Sequence, residues 1–155
     1  MKFYIRQKIF ALFDEFEVYS EDGNVAYKIK NHGILSHQFD VFNVRENKTF
    51  NISESIFRLF NQFKITTPDT TLDICTQKFH MFKYVLEYEW LGWTLKSSMP
   101  AYSYNCYDRS NNLIFTVKQR IFSFTDYYEI DIINTNKIDM VIIMMICMDA
   151  IECHR

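Results

Sequence analysis

At 155 residues with a net charge of −2, the chain is long enough for one domain that buries about two-thirds of its unfolded surface. Its charge gives no global pull toward nucleic acid, and none toward anionic lipid without a local patch. Seventeen per cent aromatic residues with only three Gly and two Pro exclude a disordered chain and suit pleated strands. Four cysteines (Cys75, Cys106, Cys147, Cys153) show no CxxC or other ligand spacing, and no segment resembles a secretory signal. Free thiols, a cytoplasmic location, and no metal or cofactor are the expectation; a terminal Cys153-His154 pair reads as tail rather than as a zinc site.

The chain opens on a strand pattern in which Phe3, Ile5, Gln7 and Ile9 share one face and Tyr4, Arg6, Lys8 and Phe10 the other. There a phrase begins that recurs along the sequence: a polar pair, Ile-Phe, three residues, a turn former, then aromatic, any residue, aliphatic. It runs from Gln7 to Val18, from Glu54 to Ile65 and from Gln119 to Ile130, with a worn copy from Gln77 to Tyr88 and a short one opening at Ile34. Successive copies stand 25, 22, 23 and 42 residues apart, so the long gap holds a degenerate unit near residue 100, where Trp93-Thr94-Leu95 and Tyr102 to Cys106 alternate. Six two-strand units predict about twelve strands. Asp22-Gly23-Asn24, Arg45 to Lys48 and Asp108 to Asn112 are hairpin turn signals, which make the sheet antiparallel.

The pattern changes once. After Asn134-Thr135-Asn136 comes an apolar run from Ile138 to Met148 broken only by Asp139, a helix predicted over about 136–151. Apolar on every side, it must be enclosed, and it is too short to cross a bilayer, which takes roughly twenty residues. A sheet of twelve antiparallel strands removes its edges by closing into a barrel. A barrel that wide needs its lumen filled, and the methionine-rich helix is a fitting plug. The expected architecture is therefore a single all-β domain over 1–155: a closed antiparallel barrel over 1–133 around a hydrophobic C-terminal helix.

Lys8-Ile9-Phe10 through Phe16-x-Val18, Asp22-Gly23-Asn24-Val25-Ala26-Tyr27, Lys118 to Phe122 with Tyr128 to Ile132, and the final apolar helix ending near Asp149 together resemble the LURP-one-related family. That resemblance implies the Tubby C-terminal-like fold, a twelve-stranded barrel around a C-terminal helix. Among related folds, Tubby domains bind phosphoinositides and phospholipid scramblases are membrane-associated. No lipid-binding motif of either matches position by position, so no functional residue is carried over.

Two repeated details remain. Gln7, Gln77 and Gln119 fall on the apolar strand face, where buried amides bond bulged backbone or helix termini, or else line a strip for a ligand head group. Arg6, Lys8, Lys28, Lys30, Lys118 and Arg120 fall on the outward face, with Lys78 on a further strand. On a barrel wall they either keep the surface soluble or align to bind an anionic phospholipid head group at a membrane surface. His32, His37, His80 and His154 are scattered with no nucleophile context or HExxH. Asp139 and Asp149 are costly in a buried helix, Asp139 being favoured by the helix dipole. Trp90-Leu91-Gly92-Trp93 reads as a corner permitted by Gly92. These readings predict a non-enzymatic binding or scaffold module, with anionic phospholipid or a protein as partner and no nucleic acid. A carrier of an apolar ligand inside the barrel is the alternative, and a hydrolase using Asp or His at a barrel mouth a remote one.

Overall fold

Alternation of apolar and polar residues dictates strands with one buried face, and the hairpin turns dictate their order. The computed structural model describes residues 1–6, 15–33, 35–55, 59–80, 83–98, 103–120 and 127–152, with backbone alone at Arg6, Phe79, His80, Lys83, Tyr84 and Ser98. Twelve strands follow one another: β1 (Lys2–Arg6), β2 (Glu15–Ser20), β3 (Val25–Asn31), β4 (Gln38–Asn43), β5 (Lys48–Glu54), β6 (Gln62–Thr66), β7 (Thr71–His80), β8 (Lys83–Tyr88), β9 (Thr94–Ser98), β10 (Ser103–Tyr107), β11 (Leu113–Arg120) and β12 (Tyr127–Ile132). Each pairs antiparallel with its neighbours in sequence, and β1 pairs with β12 to close the barrel. Register follows the hydrophobic pattern: Phe3 opposes Ile130 and Ile5 opposes Tyr128 on the inner face, while Tyr4 opposes Glu129 outside. The barrel has no free edge for another chain to extend.

Each copy of the recurring phrase starts in the closing residues of an odd strand or just beyond it and runs into the next even one. Its closing aromatic-x-aliphatic pair supplies inward side chains: Phe63 and Ile65 on β6, Leu86 and Tyr88 on β8, Tyr128 and Ile130 on β12 are all buried. The Ile-Phe pairs at 9–10, 56–57 and 121–122, and Ile34, lie outside the described residues. Between strands at the opposite end, the turn signals take left-handed conformations at Gly23 (φ 82°), Asn47 (φ 53°) and Asn111 (φ 63°), as hairpin connections of this kind require.

Through the barrel runs α1 (Ile138–Glu152). Residues Val141 to Met148 are at most 4% exposed, so the all-round apolar character is accounted for by an all-round wall. Each such side chain contributes about 1.5–3 kcal/mol by leaving water. The helix begins two residues later than the Asn-Thr-Asn signal suggests. Thr135 Oγ1 accepts from the Lys137 N–H at 2.9 Å, and the Lys137 carbonyl accepts the first helical bonds from Met140 and Val141. The lumen is thus occupied by the protein's own helix, which removes the space an interior carrier of apolar ligands would need.

Candidate functional site

The outward cations come first. Lys28 and Lys30 project from β3, and Lys118 and Arg120 from β11, exposed as expected. Yet β3 and β11 are separated by β12, β1 and β2, and the intervening strands carry acids. Lys30 pairs with Glu15 at 3.2 Å and Lys28 stands opposite Glu17. Arg120 reaches Glu129 at 3.6 Å, and Lys118 stands opposite the same carboxylate, which Lys2 holds at 2.9 Å. That hydrogen bond, with the surrounding positive charge, lowers the Glu129 pKa from its usual value. Only the backbone of Arg6 is described, on β1, and Lys8 lies outside the described residues. Among the described residues, Lys28 and Lys30 on the one hand and Lys118 and Arg120 on the other therefore form no single basic stripe.

The glutamines behave differently. Gln77 is 9% exposed and lines a small cavity of about 20 Å³ with Tyr104, Met148, Ile151 and Glu152 at the end where the helix terminates. Gln119, on β11, is partly buried and hydrogen-bonded or otherwise partnered, while Gln7 lies outside the described residues. The two histidines whose side chains are described are occupied structurally. His32 pairs with Asp40 at 2.6 Å, and His37 pairs with Glu54 at 2.9 Å while stacking on Phe39. His80 has only its backbone described and His154 is not described.

Where the helix begins, the barrel is open. A cleft of about 480 Å³ is lined by Phe3, Ala26, Tyr27, Asn43, Glu46 and Asp139 among others. A second, of about 490 Å³, has Phe50, Leu72, Trp90, Leu91, Lys137 and Met140 on its walls. The two share Glu46, Asn136 and Asp139, so they lie astride the helix start. Both fall in the size range of small-molecule sites.

Asp139 Oδ1 accepts from the Tyr27 hydroxyl and from Asn43 Nδ2, each at 2.7 Å. Asn43 Oδ1 in turn accepts the backbone N–H of Glu46 at 3.0 Å, tying the β4–β5 turn to the same network. Burial, and then the bond to Asp139, push the Tyr27 phenol far above its ordinary range, so its proton stays in place to orient the carboxylate. Strand alternation puts Tyr27 and Asn43 directly opposite one another on β3 and β4, and the plugged helix brings Asp139 to them.

The second cleft owes its shape to Asp73, 1% exposed. Its carboxylate accepts the backbone N–H groups of Ile74 (2.7 Å), Trp90 (3.0 Å) and Leu91 (2.9 Å). Gly92 adopts φ 71°, and a Cβ there would run into the Arg109 side chain. Arg109 donates to the Glu89 and Trp90 carbonyls at 3.2 and 3.0 Å. The corner predicted at Gly92 is present, and it holds Trp93 inside the core while leaving Trp90 54% exposed. Sequence reasoning singled out Asp139 but missed its partners, 112 and 96 residues away. It also missed Asp73, although an acid in register with the inward-facing Cys75 and Gln77 was a readable signal.

A closed antiparallel barrel plugged by its own C-terminal helix, with clefts at the helix start, defines a class of fold rather than any one chemistry. A family model described as LURP-one-related matches residues 1–149 of the chain, which belongs to that family. No curated protein and no solved structure matches it.

Proposed function

We propose that the protein is a non-enzymatic binding module that meets its ligand at the end of the barrel where the helix begins. The observation that carries this reading is the pair of clefts sharing Glu46, Asn136 and Asp139, set against a lumen filled by the helix and a wall without free edges. A cytoplasmic location accords with the three free thiols at Cys75, Cys106 and Cys147; no described helix is long and apolar enough to cross a membrane. Screening a fragment mixture while following backbone amide shifts tests the proposal. Hits should move residues 20–27, 43–48 and 136–140, and hits confined to the outer wall would refute it.

Recognition of an anionic phospholipid head group is the second reading, favoured by one observation besides the resemblance to Tubby-like folds. Glu129 is held by Lys2 at 2.9 Å, so Lys118 and Arg120, which face the same carboxylate, leave a local excess of positive charge on β11. Flotation with anionic and neutral liposomes separates the two: binding that requires anionic lipid and falls in Lys118→Gln with Arg120→Gln would transfer the contact to the wall.

A further inference from the structure

We propose that the 480 Å³ cleft beside the helix start takes a small organic cation, an ammonium group carried on an apolar body. This rests on the reading of that end as the ligand site and adds the chemistry of the ligand. Phe3, Val25, Ala26 and Ile138 supply apolar wall, enough to remove a hydrocarbon or aromatic body from water.

The charges decide the rest. The lining cations are the Met1 amine, Lys2 and Arg45, and the lining carboxylates are Glu21, Asp22, Glu46 and Asp139. Two of the cations are satisfied by groups outside the cleft: the Met1 amine by the Ile132 carbonyl (3.2 Å) and Asp131 (3.8 Å), and Lys2 by Glu129 (2.9 Å). Asp22 is occupied by Ser20 and Asn24. Arg45 is left against Glu21, Glu46 and Asp139. The carboxylates of Glu21 and Glu46 have no hydrogen bond or ion pair among the described residues, and Asp139 uses only Oδ1, leaving Oδ2 open.

The helix N-terminus adds about half a positive charge, too little to offset this excess. Among the described residues no three metal-ligating side chains converge, which favours an organic cation over a metal ion. The adjoining cleft already shows the interaction in miniature: the Lys48 ammonium lies 4.7 Å over the Phe50 ring, an aromatic surface accepting a cation.

Calorimetric titration with phenethylammonium, 2-phenylethanol and 3-phenylpropionate tests the inference, since the three share an apolar body and differ in charge. The ammonium should bind at least about tenfold more tightly than either of the others, and more weakly as salt is added. Glu46→Gln and Glu21→Gln, both substitutions at exposed positions that leave the core intact, should each weaken it about three- to tenfold, while Lys118→Gln on the wall leaves it unchanged. Equal or tighter binding of the alcohol or the carboxylate, an affinity indifferent to both glutamate variants, or no heat from the ammonium at about 10 mM would overturn it. Binding of the neutral or anionic probe that is lost on filling the cleft with Ala26→Leu would sink the cation chemistry while leaving this end as the ligand site. Failure of all three probes together with an empty fragment screen would remove both.

Discussion

Asp139 and Glu152 lie at the two ends of one apolar helix, and both accept hydrogen bonds from tyrosine hydroxyls, but they do different work. Glu152 accepts from Tyr104 and, at 3.2 Å, from Tyr128, beside a cavity of only about 20 Å³. It stands at the helix C-terminus, where the dipole disfavours an anion, so the enclosing tyrosines offset an unfavourable placement. Asp139 stands at the N-terminus, where the dipole favours it, keeps one oxygen free, and borders two clefts more than twenty times larger. A carboxylate that is locally costly is enclosed and structural; one that the helix already stabilises is available for a ligand.

The broadest way to break this comparison is to dislodge the helix that creates both ends. Ile142→Asp or Met145→Asp buries an unpaired charge at a site with 0% exposure. The cost exceeds about 4 kcal/mol, a large part of the roughly 5–15 kcal/mol that holds a domain together. Circular dichroism should show no cooperative melt, and a variant that melts like the parent would place the helix outside the barrel. Next comes Asp73→Asn, whose amide turns its own donor toward a backbone N–H that thereby loses its acceptor. It should cost about 2–3 kcal/mol by chemical denaturation and loosen the Trp90 turn, seen as lower fluorescence anisotropy of that residue.

Matched removals of one hydroxyl at each end sharpen the contrast. Tyr27→Phe and Tyr128→Phe should each lower stability by about 1–2 kcal/mol. Only Tyr27→Phe should also change ligand affinity at the clefts, because only there does the hydroxyl orient a carboxylate that a ligand can reach. Equal effects on ligand affinity would mean that the two ends are not distinct. The smallest effect belongs to the wall. Because the folded Glu129 pKa lies below its ordinary 4.5, its contribution is present above that value and is lost as pH falls through the folded pKa. Glu129→Gln should therefore cost at most about 1 kcal/mol at neutral pH, and the difference should shrink in acid-denaturation curves as pH falls below 4.5, vanishing once the folded pKa is passed.

Most of the architecture was legible because it rests on short-range pattern. Alternation at Phe3 and Ile5 or Phe115 and Val117, the turn at Asp22-Gly23-Asn24, and an apolar run from Ile138 to Met148 each carry their own physical instruction. The repeat multiplied those instructions into a closed barrel. The candidate site was less legible because it is assembled from distance. Tyr27 and Asn43 look like ordinary inward strand residues until the helix delivers Asp139 between them. The cations that stood out in sequence did so by repetition, and register then set acids beside them: Glu15 against Lys30, Glu129 against Arg120. Strand alternation tells which side of a wall a charge occupies, but not which partner the next strand supplies.

The most direct test of the contrast between the ends is a single titration of phenethylammonium into isotopically labelled protein, followed through backbone amide shifts. Saturable shifts should concentrate at Ala26, Tyr27, Asn43, Glu46 and Asp139, with Gln77, Tyr104, Tyr128 and Glu152 unmoved. Shifts centred on the Glu152 end, or spread along Lys28, Lys30, Lys118 and Arg120, would contradict the account.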